Sequence, residues 1–249
     1  MEDIYSVTFR VASTDVDAQN YLRPAAVLTW FQHYGTEHGA ILHMDRDYLV
    51  ENYHACWILA RVWFRFLRPV TEGETVTLKT WCRGAGGLIV YRDFDIFSGD
   101  ELVGEGISAW VIADLDTRTM LRPGTVENLA VYCAPECCKD RQLKLIRRPT
   151  NCYSVYNREV RYSDLDINGH MNNTRYADVI MDAFRPDRLS GKFVKEFQLN
   201  YSVECKFSDE LEISLANTDS GFYVDGRTND GRRYFEAKIL FEDFEDCVK

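Results

Sequence analysis

Apolar and polar positions alternate along "YSVTFRVAS" near the start of the chain and again along "YNREVRYS" past its midpoint. That two-residue period predicts a half-buried strand in each place. The period then lengthens. After Pro24, a natural first residue of a helix, Val27, Phe31, Tyr34, His38 and Ile41 recur at three- and four-residue steps. In the second half Tyr176, Val179, Ile180 and Ala183 repeat the pattern, Pro186 ends it, and Asn172 or Asn173 is placed to cap the helix. Alternation returns in "ACWILARVWFRFLRPV" and "VKEFQLNYSVECKFSD", each running into an acidic turn, "TEGETVTL" or "SDELEISL". Further strands follow, with hairpin signals at Ser98, Gly99 and Asp100 and at Asn229, Asp230 and Gly231.

Each half thus reads as a strand, a long helix and several antiparallel strands. This predicts an α+β fold in which each helix is wrapped by a sheet, the hotdog arrangement, and a tandem double hotdog with the two sheets joined edge to edge. The expected units are residues 1–130, a connector over 131–156 without clear periodicity, and residues 157–249. The connector carries Arg141, Lys144, Arg147 and Arg148 and reads as a solvated linker.

The halves can be laid over each other. At an offset of 149, Asp15 falls on Asp164, Asp17 on Asp166, Gln19 on Asn168 and Tyr21 on His170. At an offset of 136, Arg68 falls on Glu204 and Pro69 on Cys205. A histidine, an asparagine, an acid and a thiol are present in the second copy and missing from the first. A purely structural need would be kept in both, so the asymmetry assigns function to the second half. Asp166 has a surviving counterpart and is open to a structural reading, as are Asp164 as a turn-former and Asn172 and Asn173 as caps.

Composition narrows the classes. The hydrophobic share of 46% and charged share of 27% are those of a globular chain. No apolar run approaches the roughly 18 residues of a membrane span, and "MEDIYSVTFRV" lacks a signal-peptide pattern. A cytoplasmic protein is expected. A net charge of −10 argues against nucleic acid as a partner. Of eight cysteines, Cys133, Cys137 and Cys138 cluster without a C-x-x-C pair or nearby histidine, so free thiols are expected and neither metal nor cofactor.

"DLDINGHMNNTRYADVIMDAF", followed by "YSVECKFSDELEI", resembles the acyl-acyl carrier protein (acyl-ACP) thioesterases, in a bacterial-type form. In that family an Asp-x-Asn-x-His segment precedes the second hotdog helix and a Glu-Cys pair follows on a later strand. The resemblance implies a hydrolase that terminates fatty acid synthesis by releasing fatty acid from acyl carrier protein. The implied site is Asp166, Asn168, His170, Glu204 and Cys205. Histidine suits the general base, with an unperturbed pKa of about 6.5. Glu204 would orient the ring, Asn168 would position water or the thioester carbonyl, and Asp166 would hold Asn168. Amides near Asn172 and Asn173 would face the oxyanion. Two nucleophiles stay open: Cys205 activated by His170, or water activated by His170 and Glu204. Neighbouring residues on a regular strand face opposite ways, which favours water.

The resemblance further implies an acyl tunnel in the first half, with Trp30, Phe31, Trp57, Trp63 and Phe64 as wall candidates. The carrier is acidic, so docking calls for a local basic patch among Arg65, Arg68, Arg141, Lys144, Arg147 and Arg148. A coenzyme A thioesterase of the same fold and a non-catalytic acyl-binding protein are the competing readings. A monomer and a homodimer are both compatible with a tandem chain.

Overall fold

Aromatic and β-branched residues fit a pleated, half-buried surface, and among the described residues eleven strands form one antiparallel sheet. The computed structural model describes residues 4–127 and 139–244. The first half runs β1 (Tyr5–Arg10), α1 (Pro24–Ile41), α2 (Arg46–Tyr53), β2 (Ala55–Phe66), β3 (Thr75–Gly86), β4 (Ile89–Ser98), β5 (Glu101–Asp114) and the short β6 (Met120–Leu121). The second runs β7 (Tyr153–Glu159), α3 (Arg175–Met181), α4 (Pro186–Leu189), β8 (Lys192–Tyr201), β9 (Glu210–Thr218), β10 (Gly221–Arg227) and β11 (Arg233–Asp243).

The sheet order is β1-β3-β4-β5-β2-β8-β11-β10-β9-β7, with β6 beside β5. Outward from the central β2–β8 seam, the two halves therefore repeat one strand order. The seam pairs Arg61 with Asn200 through Arg65 with Glu196, and Phe64 stacks on Phe197 at 5.2 Å.

Matching hydrogen bonds give the correspondence between halves. Asp17 N donates to Tyr21 O as Asp166 N does to His170 O, which keeps the offset of 149. Leu22 N donates to Val70 O as Met171 N does to Cys205 O. Cys205 therefore stands where Val70 does and Glu204 where Pro69 does. This corrects the expected offset of 136 by one residue. Val11 N to Glu74 O and Val160 N to Asp209 O agree. The slip arose because proline and apolar identities carry no face information, whereas a one-residue shift in a strand reverses every side chain.

Helix α1 starts at Pro24 as the pattern predicts and buries Val27, Leu28, Trp30 and Phe31. The second long helix is not formed. Helix α3 covers seven residues, and Arg185 before Pro186 is extended (φ −75°, ψ 143°). Proline disfavours helical geometry in the residue before it, and then opens the short α4.

The connector departs from its solvated reading. Residues 139–148 lie along the face of the sheet away from α1, burying Leu143 and Ile146. Lys139 Nζ pairs with Asp95 (2.6 Å) and Arg148 with Asp225 (3.0 Å), so the strap is bound to both halves. Strand β7 starts at Tyr153, inside the expected connector. The thiol cluster of Cys133, Cys137 and Cys138 lies outside the described residues. Among the described residues, no helix is long and apolar enough to cross a membrane.

Candidate active site

Asp166 builds the polar loop that follows β7. Its Oδ1 accepts from the amides of Asn168 (2.8 Å) and His170 (3.3 Å), and Oδ2 from Asn168 Nδ2 (3.4 Å). Gly169 closes the loop at φ +73°, a left-handed value that glycine adopts without a Cβ clash. Asp17 makes the same loop in the first half, accepting from Gln19 N (2.9 Å) and Tyr21 N (3.0 Å). The loop is common to both copies, and the side chains hung on it differ. Gln19 clamps the first loop to the second half, its amide bonding Leu189 O and Gly191 N, both at 2.6 Å. Asn168 is exposed and His170 is half-buried.

His170 Nδ1 lies 3.5 Å from Glu204 Oε2. The ring is 17% exposed and the carboxylate 43%, so solvent reaches the pair. The same Oε2 lies 3.7 Å from Arg118 Nη2, contributed by the first half. Arg118 stands at φ +57° in the turn between β5 and β6, where Asp114 Oδ1 accepts from the amides of Asp116 (3.1 Å) and Thr117 (2.8 Å). Its Nη1 also approaches Cys56 Sγ at 3.7 Å. Sequence reasoning missed Arg118. The acid- and threonine-rich turn "DLDTRT" marks a loop, but nothing local aims it at the other half.

Cys205 points away from His170. Glu204 and Cys205 lie beyond the end of β8, not within a strand, and still face opposite sides. The thiol is fully buried, and the Cys205 amide donates to Tyr176 Oη (3.1 Å). Burial pushes the thiol up to about 12, against the pull of the Tyr176 hydroxyl. Its counterpart Val70 is buried as well, so the position is a core position in both copies.

Asp164 is buried and takes two bonds from Arg158 Nη2 (2.7 and 2.9 Å) and one from Arg161 N (2.8 Å), which fits the turn-former reading. The expected helix-start donors are engaged: Asn172 N bonds Asp164 O (2.8 Å) and Thr174 N bonds Asn172 Oδ1 (2.9 Å). Asn172 is thus the expected acceptor at the helix start, whereas Thr174, immediately before α3, makes no capping bond to the helix with its own side chain.

A small cavity of about 20 Å³, room for about one water, lies between this segment and the first half. Asn173, Thr174 and Tyr201 line its second-half side, and Leu28, Phe31, Val62 and Ser108 part of the other. Of the aromatic wall candidates, Phe31 reaches it. Trp63 packs instead with Tyr91, Ile107 and Leu143 on the opposite face of the sheet, and Trp57 donates to Met44 O (2.7 Å). That opposite face carries a broad groove of about 830 Å³ lined by Arg61, Lys144, Arg147, Arg148 and Arg233 and by no carboxylate residue. The basic-patch expectation changes accordingly. Arg65, Arg68, Arg141 and Arg148 pair with Glu105, Glu101, Glu196 and Asp225. Lys144 and Arg147 are the two candidates without an ion pair among the described residues. These residues hold no group of three or more His, Cys, Asp or Glu fit for a metal.

A wide antiparallel sheet on few helices, with Arg118 of the first half reaching Glu204 and His170 of the second, is a hotdog-type arrangement. The model of the acyl-ACP thioesterase N-terminal domain matches residues 2–127, and that of the C-terminal domain residues 148–243. The chain belongs to the acyl-ACP thioesterase family. Oleoyl-acyl carrier protein thioesterase 1 of Arabidopsis thaliana is 25% identical over 235 residues, covering 87% of this chain and 64% of the relative. Palmitoyl-acyl carrier protein thioesterase of Cuphea hookeriana is 25% identical over 232 residues, covering 88% and 56%. The chain thus spans less than two thirds of the length of these curated relatives. The fold matches an acyl-ACP thioesterase from Bacteroides thetaiotaomicron with a TM-score of 0.88 at 24% identity, covering 96% of this chain and 98% of that one. The 12:0-ACP thioesterase of Umbellularia californica matches with a TM-score of 0.81 at 19% identity, covering 98% of both.

Proposed function

We propose that the chain is a thioesterase that hydrolyses fatty acyl-ACP to free fatty acid and carrier protein, using two hotdog repeats in tandem. The repeated strand order and paired hydrogen bonds support the tandem reading. The observation that carries the activity is His170 Nδ1 beside Glu204 at 3.5 Å, both within reach of solvent, on the loop segment whose continuation, Asn173 and Thr174, lines the small cavity against the first half.

Water is the nucleophile. With Nδ1 turned to Glu204, Nε2 of His170 takes the proton of a water that attacks the thioester carbonyl. Glu204 stabilises the imidazolium that forms. Asn168, held by Asp166, donates to the developing oxyanion. The tetrahedral adduct collapses, the C–S bond breaks, and the carrier thiolate leaves with the proton returned by His170. A buried thiol with a pKa of about 12 is a poor source of thiolate near neutral pH, which supports leaving Cys205 outside the chemistry. The acidic carrier protein docks on the basic groove, guided by Lys144 and Arg147.

The test is turnover of one acyl group on acyl carrier protein and on coenzyme A. His170→Ala should lose on the order of 10²–10⁴ in kcat, and full activity in that variant would sink the mechanism. Reversing Lys144 and Arg147 to Glu should raise KM for the carrier substrate well above the change for the coenzyme A thioester. Equal changes would remove the groove as the docking surface.

A further inference from the structure

Each half holds a polar constellation that the other has erased, and the first half's lies beneath α1. Thr80 on β3, Arg92 on β4 and Ser108 on β5 are buried, with His38 of α1 beside them. Arg92 is 9% exposed and the other three at most 3%. The register gives their counterparts. The same irregularity separates Ile96 from Phe97 in β4 and Gly226 from Arg227 in β10, which sets Arg92 opposite Phe222. By the same pairing Ser108 corresponds to Ile239 and Thr80 to Leu215. All three counterparts are apolar, so the shared core does not require a polar layer at this place.

The layer is also costly. Arg92 Nη1 reaches His38 Nδ1 (2.8 Å) and Thr80 Oγ1 (3.3 Å), and no carboxylate among the described residues pairs with it. A buried guanidinium without a counter-ion is a strained arrangement that an incoming anion relieves. Arginine suits that task through its planar fork of donors, which matches a carboxylate in two bonds.

Its position relative to the cavity is equally specific. Val62, Ser108 and Arg92 stand side by side on β2, β5 and β4. Val62 and Ser108 line the cavity that starts at Asn173 and Tyr201. Two strand spacings, about 10 Å, separate Val62 from Arg92. Phe31, stacked on Phe94 at 3.9 Å, stands at the cavity wall.

We propose that Arg92, one strand beyond the cavity-lining Ser108, binds a carboxylate at the far end of the acyl chain, so that the fatty acyl chain preferred carries an ω-carboxyl group and the fatty acid released is a dicarboxylic one. The inference rests on the thioesterase reading above. Thr80 and His38 hold the guanidinium, and Ser108 lies on the way to it.

The test compares two thioesters of equal chain length on one carrier, one with a terminal carboxylate and one with a terminal methyl. The wild type should favour the carboxylate in kcat/KM by on the order of tenfold or more, as expected where a site is built to pair a polar group. Arg92→Met should lower that ratio by about tenfold or more, through KM, while Arg92→Lys keeps part of it. A ratio of two substrates cancels any loss of folded enzyme. Preference for the methyl end, untouched by Arg92→Met, would overturn the inference. Absence of all thioester turnover would instead strike the thioesterase reading. In that event Arg92 is tested by the thermal shift of His170→Ala with a dicarboxylic acid against the matching monocarboxylic acid, and equal shifts reject it.

Discussion

At Cys205 one residue can be read in two ways, as a nucleophile or as part of the core, and its repeat counterpart supports the core reading. Val70 occupies the same hydrogen-bonded position and is buried to the same degree. Cys205→Val should therefore keep kcat within a few-fold, since a buried swap of similar size costs under about 1.5 kcal/mol. Loss of activity comparable with His170→Ala, in a variant with unchanged Tm, would restore the thiol mechanism. Asn168, His170 and Glu204 stand out in the chain as candidates because the other copy lacks them. The orientation of Cys205 was not, because alternation is informative only inside a regular strand and this pair lies past the end of one.

The polar loop is the element that both halves share, and it separates structure from chemistry. Asp17→Ala and Asp166→Ala each remove the acceptor of two backbone amides and should each cost about 1–2 kcal/mol. Denaturant melts should show similar losses, whereas kcat should fall only in Asp166→Ala. A fall of equal size in both would mean that the loop acts through stability alone.

The turn between β2 and β3 carries a pH signature. Burial alone would lift the Glu74 carboxyl, but the Thr71 amide and hydroxyl and the Arg68 guanidinium outweigh it and hold the group below its usual range. A folded pKa below the unfolded one means that the unfolded chain binds the proton first as pH falls. Glu74 therefore contributes stability above about pH 4.3, its unfolded value, and that contribution is lost as pH falls through the lower folded value. Tm scans should drop on acidification, and Glu74→Gln should flatten the drop. An unchanged acid slope would reject the assignment.

Across the whole molecule, the site is shared. Arg118 arrives from the first half and takes the same carboxylate oxygen of Glu204 that faces His170. Both groups are substantially exposed, so solvent screens the pair. Arg118→Ala should lower kcat/KM a few-fold by letting Glu204 swing, with Arg118→Lys recovering part of the loss. No change in either variant would leave Arg118 as a bystander.

The pattern of the chain alone determined two strand–helix–strand units, the start of α1 at Pro24, and which half carries the unmatched histidine, because period and repetition are local properties. It misjudged α3, the connector and one offset, where proline geometry and the face of the sheet intervene. Only the tertiary structure decided that β2 and β8 join the sheets, that Arg118 crosses to Glu204, and that Arg92 lies buried beside the cavity. Those contacts link residues far apart in the chain, and no local periodicity encodes which distant face a side chain meets.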